Sequence, residues 1–191
     1  MKKTLCSLLC ALLAVVLPLS LAACQNGSSN AGSDIESPLA LLNTVWDSYA
    51  DDERFPAMGG DFSEENMTEN GPGNFDISDP EMLDYSMAIP ADAAELIDSA
   101  ALLSHMMNAN TFTGFAVHLK NASDSSAFTD ALHESLANRH WMCGFPEKMI
   151  AISIGDYVVA AFGNGELINN FRDKTTAAFE GSQIVFEEDI E

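Results

Sequence analysis

The chain has 191 residues, with 29 Asp and Glu against 8 Lys and Arg, a formal net charge of −21 and four Cys. A surface this acidic repels nucleic acid and anionic lipid headgroups and favours cations, basic polypeptides or plain solubility. The length suits one domain with a sound core and is short for a two-lobed solute-binding architecture.

Met1-Lys2-Lys3 precedes an apolar run from Leu5 to Leu19, broken only by Ser7 and Pro18, and the chain then reaches Leu21-Ala22-Ala23-Cys24. A short basic start, an apolar stretch too short for a good transmembrane helix and small residues before a cut make a secretory signal. The Leu-Ala-Ala-Cys ending resembles the bacterial lipobox, which implies diacylglycerol on the Cys24 thiol and cleavage before it. Acyl chains on one residue suffice for stable anchoring when there are two or more. The expected organisation is a signal peptide at 1–23, a lipidated flexible tether at 24–37, a single domain at 38–186 and an acidic tail at 187–191. Loss of Lys2 and Lys3 with the signal moves the net charge from −21 to −23. It also removes Cys6 and Cys10, so with Cys24 lipidated Cys143 stands alone and no disulfide can staple the domain.

Ser37-Pro38 opens a helix whose Leu39, Leu42, Val45/Trp46 and Tyr49 share a face. From Asp51 to Asp84 there are 11 acidic residues against Arg54 alone, with Gly59-Gly60, Gly71-Pro72-Gly73 and Asp79-Pro80 as breakers. Phe55, Met58, Phe62, Met67 and Phe75 punctuate this segment, which predicts a long acidic loop at 51–84 pinned to the domain by them. Residues 90–107 fit a helical start followed by a strand after about Ala100, although helical spacing persists to Met107. Phe115, Val117 and Leu119 alternate with Ala116, His118 and Lys120, the pattern of a strand with one buried face.

Ser123 or Ser125 starts a helix with Phe128, Ala131/Leu132 and Ser135/Leu136 on one stripe. Asp124 stands near its positive end, and Arg139 and His140 near its negative end. Met149 to Phe162 reads as a hairpin around Gly155-Asp156, pairing Ile154 with Tyr157, Ile152 with Val159 and Ile150 with Ala161 on one bulky face. Ala151, Ser153, Val158 and Ala160 form a small-residue face, expected to stay open to water or to another chain. Asn164 caps a last helix with Leu167/Ile168, Phe171 and Ala178 inward, and Gly181 closes it. The fold class is therefore α+β: an antiparallel β-sheet in ββαββα order with helices on one face, plus an N-terminal helix.

Met106-Met107-Asn108-Ala109 leading into Phe115-Ala116-Val117-His118-Leu119-Lys120, the 124–139 helix and the Gly155-Asp156-Tyr157-Val158 hairpin are similar to a family of small extracytoplasmic lipoproteins of Gram-positive bacteria. That family is a domain of unknown function, and similar sequences are sometimes labelled bacteriocin transport accessory proteins. The resemblance spans roughly residues 80–180 as diffuse pattern. It implies a membrane-anchored extracytoplasmic domain and carries no functional residues over.

Four clusters invite chemical readings. His133-Glu134-Ser135-Leu136-Ala137 begins like a zinc-protease signature, but Ala137 stands where the second His belongs, and His140 lies ~10.5 Å on along the helix, too far to share one ion. His140-Trp141-Met142-Cys143 brings together ligands suited to a soft metal, though Met142, Cys143 and Trp141 also suit a core. Cys143 as nucleophile needs a base and an electropositive niche that an acidic chain disfavours. Asp61 to Pro72 departs from a calcium loop at Asn66 and Pro72, which leaves an irregular cation site among Asp51, Asp52, Glu53, Asp61, Glu64 and Glu65 against a solvated acidic loop. No nucleophile elbow, phosphate loop or dinucleotide fingerprint occurs; Gly163-Asn164-Gly165 is a turn into a helix.

The expectation is a non-catalytic binding or accessory domain, lipid-anchored at the outer face of the cell membrane, with no catalytic residue, cofactor or metal assigned. It would engage a polypeptide or envelope component through the open sheet face and the acidic loop, possible roles being in export or envelope processes. The alternatives are a small enzyme using Cys143 with a His, and a metal-binding lipoprotein.

Overall fold

The computed structural model describes residues 35–142 and 144–190. The signal sequence, Cys24, most of the tether and Cys143 lie outside the described residues. The elements in chain order are α1 (Pro38–Asp47), β1 (Ala57–Gly59), β2 (Thr68–Glu69), β3 (Gly73–Phe75), α2 (Pro80–Met87), α3 (Ala91–Ala94), β4 (Ile97–His105), β5 (Phe112–Leu119), α4 (Ser125–Ala137), β6 (Lys148–Ile154), β7 (Tyr157–Gly163), α5 (Gly165–Ala178) and β8 (Gln183–Asp189).

The fold is α+β around one antiparallel sheet. Its strand order is β2-β1-β4-β5-β7-β6-β8, with β3 pairing β4 beside β1. The β6–β7 hairpin pairs Ile154 with Tyr157, Ile152 with Val159 and Ile150 with Ala161, the register that a two-residue Gly155-Asp156 turn dictates. Residues 90–107 divide into the short α3 and the strand β4, which begins at Ile97, three residues before the expected Ala100.

Helices cover both faces of the sheet, which corrects the expectation of a single covered face. On one side Ile150, Ile152, Ile154, Tyr157, Val159 and Ala161 pack with Leu41, Leu42, Val45 and Trp46 of α1 and Ile168 and Phe171 of α5. On the other, Ala151, Val158 and Ala160 lie under Phe128, Leu132 and Leu136 of α4, with Leu83 and Met87 of α2 packed into the same layer. The residues expected on an open face are small because a helix sits on them: Ala151, Val158 and Ala160 are fully buried. Ser153 stays partly exposed, its hydroxyl donating to the Gln183 carbonyl at 3.5 Å. The strand β5 is likewise buried on both faces, Phe115 and Val117 in one layer and Phe112 and Ala116 in the other. Each large side chain so buried contributes roughly 1.5–3 kcal/mol relative to exposure.

Three further boundaries differ from the sequence reading. Ile35, inside the expected tether, already belongs to the fold: this side chain packs against the α1 layer and its carbonyl accepts a hydrogen bond from Tyr157 Oη at 2.9 Å. The acidic loop at 51–84 holds three short strands and the start of α2. Gly59 of β1 and Gly73 of β3 meet end to end on the edge of β4, so close that a Cβ on Gly59 would lie 2.2 Å from the Gly73 nitrogen. Of its five punctuating residues, Phe75 is buried while Phe62 and Met67 are exposed.

Within the acidic end expected as a tail at 187–191, Glu187, Glu188 and Asp189 instead belong to β8 and pair with Ile150, Met149 and Lys148. Glu187 bridges to Lys148 at 3.0 Å and to Arg172, so the charges that suggested solvation are matched by cations on β6 and α5. Glu188 meets His133 Nε2 at 3.1 Å.

Candidate functional site

A cleft of about 520 Å³ opens at one end of the sheet, on the α2/α4 side. Its floor is built from neighbours across three strands. Ser104 of β4 lies opposite Thr113 of β5, and Thr113 opposite Phe162 of β7, with Leu102 one step along the same face. The alternation that buries Leu102 and Phe115 puts these hydroxyl residues on the same side, where α4 no longer covers them. Both hydroxyls are committed: Ser104 Oγ donates to the Met58 carbonyl at 3.2 Å and Thr113 Oγ1 to the Ala109 carbonyl at 3.0 Å.

The walls come from chain segments that end elements. Tyr85 and Ser86 belong to the last turns of α2; His140, Trp141 and Met142 follow α4; Asn108 and Asn110 lie between β4 and β5; Phe62 comes from the acidic segment. Arg139 locks two of these walls together. Its guanidinium donates to Asp84 Oδ1 at 3.1 Å and to the carbonyls of Asp84 at 2.8 Å and Tyr85 at 3.2 Å, and it lies 5.6 Å from the Trp141 ring centre. The positive charge expected to serve the end of α4 thus serves the carbonyl end of α2 instead. Asn110 Nδ2 ties the opposite wall, donating to the carbonyls of Met142 at 2.9 Å and Gly144 at 3.0 Å.

The rim is apolar and exposed. Tyr85 is 76% exposed, Met142 78% and Phe62 54%, and Phe145 beside the cleft reaches 80%. Phe62 also holds a left-handed backbone with φ 65°, a conformation costly for a bulky residue and one that clusters at functional sites. Ser86 Oγ is buried without a hydrogen-bond partner among the described residues. None of the described residues lining the cleft is a carboxylate, although the chain carries 29. A ligand-sized, mostly apolar hollow with a few convergent polar groups is the usual form of a small-ligand or side-chain site.

The sequence-predicted candidates scatter around this cleft. His140, Trp141 and Met142 do line it. Met142 is exposed, which corrects the core placement expected of it, whereas Trp141 packs partly buried against the α4 layer; Cys143 lies outside the described residues. His133 is elsewhere, on α4, with its ring against Phe186 at 5.0 Å. The acidic residues 51–65 do not converge: Glu53 pairs with Lys174 at 2.7 Å, and Asp61 takes hydrogen bonds from the Ser63 and Asp76 amides and the Asn66 side chain. Partial burial opposes the Asp61 charge, but those bonds outweigh it and hold its carboxyl down at about 2. Among the described residues no three His, Cys, Asp or Glu side chains come together as a metal-binding group, and no helix is long and apolar enough to cross a membrane.

Sequence reasoning did not single out Tyr85, Ser86, Ser104, Asn110 or Thr113. The available signal was weak: Ser104 and Thr113 break otherwise apolar strand faces at the strand ends. A polar interruption there reads as fraying until the neighbouring strands are aligned.

Ile35 is held by Tyr157 at the turn end of β7, whereas Phe162 at the cleft is five residues on, ~17 Å at strand rise. No protein-family model matches the chain, and neither a curated protein nor a solved structure matches it.

Proposed function

We propose that this protein is a non-catalytic binding module, anchored through lipid on Cys24 at the outer face of the cell membrane, whose ligand seats an apolar group in the cleft. The observation that carries the reading is a carboxylate-free apolar hollow with an exposed aromatic rim on a chain of net charge −21. Exposed apolar patches on otherwise soluble surfaces mark interaction sites. The sheet face first expected to bind is covered by α4, so the binding role moves to the end of that face. Ile35, on the Cys24 side of the domain in sequence, is held by Tyr157 at the turn end of β7, away from the cleft, which suits a tether that holds the cleft away from the bilayer.

Titration with N-acetylphenylalaninamide, a neutral capped side-chain analogue, followed by tryptophan emission, tests this. Wild type should show saturable binding that perturbs Trp141. The double variant Tyr85→Ala/Met142→Ala should weaken it on the order of 30-fold, since each truncation removes apolar contact worth about 1 kcal/mol. Both residues are largely exposed, so the unfolding midpoint should hold. Equal binding by wild type and double variant would overturn the assignment of the cleft.

A further inference from the structure

Asn108 and Asn110 line the cleft and also a second, neighbouring hollow of about 180 Å³, where Glu147, Asn164 and the exposed Phe145 stand. The chemistry differs on the two sides of the asparagines. Among the described residues the cleft has a mostly apolar lining with no carboxylate, and its one cation, Arg139, is paired with Asp84; the neighbouring hollow carries Glu147. Glu147 is held in place, with Oε2 accepting from Asn164 Nδ2 at 3.0 Å and from the Gly165 amide at 2.8 Å. Unlike Glu187, which is matched by Lys148 and Arg172, Glu147 is exposed and meets no cation among the described residues.

We infer that the two neighbouring hollows together take a cationic polypeptide segment, seating one large apolar side chain in the cleft and a Lys or Arg beside Glu147. The inference rests on the binding-module reading and names its ligand class. A net charge of −21 raises the local concentration of such a segment and speeds its encounter. The apolar cleft supplies the area that holds it, and Glu147, which meets no cation among the described residues, sets the register. An anionic peptide is opposed by both the field and Glu147, and a neutral apolar molecule uses only the cleft.

Calorimetric titration of the full chain in non-ionic detergent tests this with a capped peptide of two phenylalanines followed by two lysines. It should bind more tightly than N-acetylphenylalaninamide and more tightly than the same peptide with glutamates for lysines or alanines for phenylalanines. Glu147→Gln keeps an acceptor for Asn164 and Gly165 while removing the charge. It should weaken the lysine peptide by roughly 5- to 10-fold at low salt, leave the neutral amide unaffected, and lose its effect at ~0.5 M salt. If the amide binds in the cleft but lysine and glutamate peptides bind alike, or Glu147→Gln changes nothing, the inference falls and the cleft reading stands. If neither the amide nor the peptide binds, both fall.

Discussion

His118 sits between two carboxylates at the turn end of the sheet, its Nδ1 2.7 Å from Asp98 of β4 and its Nε2 3.1 Å from Asp156 of the β6–β7 turn. Its ring also packs against Tyr157 at 4.8 Å. Partial burial works against the charged form, but the hydrogen bonds and charges of Asp98 and Asp156 outweigh it and raise the imidazole above its ordinary value of 6.5. Because the folded value exceeds the unfolded one, the charged His118 stabilises the fold fully below the ordinary value. That contribution is lost as pH rises through the raised folded value. Urea midpoints measured from about pH 6 to about pH 8 should therefore fall in wild type relative to His118→Gln. Parallel curves for the two proteins would show that the carboxylates do not engage the ring in solution. Sequence reading had this histidine only as an outward position on a strand; its two partners lie 20 and 38 residues away and meet it through strand register alone.

At the scale of elements, the β6–β7 hairpin separates what alternation predicts from what packing decides. Ile152 is buried opposite Val159 beneath α1 and α5, so Ile152→Asp strands a carboxylate in the core and should cost on the order of 3 kcal/mol or more. Ser153 is partly exposed at the margin of the other layer, and Ser153→Asp should cost under ~1 kcal/mol. Ala160 shares the Ser153 side of the sheet, yet it is fully buried in the α4 layer, so Ala160→Asp should be as damaging as Ile152→Asp. Denaturant midpoints of the three variants are the measurement. A mild Ala160→Asp would mean that α4 does not cover the sheet in solution.

For the whole molecule, the proposed anchoring has its own test. In lipobox proteins thiol alkylation precedes cleavage, so Cys24→Ala should leave the chain unlabelled by a fatty-acid analogue in cells and uncut at this site. Equal labelling of variant and wild type would refute the anchor. It would also remove the reason to regard the rise from Tyr157, which holds Ile35, to Phe162 at the cleft, ~17 Å along β7, as a way of presenting the cleft.

The local elements were legible because the signals that make them are local. Ser37 and Asn164 cap their helices with side-chain oxygens on amides two or three residues on, and Gly155-Asp156 sets the hairpin register by loop length. The α+β class and the antiparallel sheet followed from the order of those elements. What covers a sheet face is a different matter. Alanines at 151, 160 and 161 look alike in sequence whether water or a helix faces them, and only the placement of α4 buries the first two. The acidic stretches misled for a related reason. Glu187 sits in a strand because Lys148 and Arg172 converge on it, and Asp61 keeps its charge because Ser63, Asn66 and the more distant Asp76 amide donate to it. The cleft was the least visible feature: its floor joins Ser104, Thr113 and Phe162, separated by up to 58 positions, and no periodicity in a chain records where three strands end together.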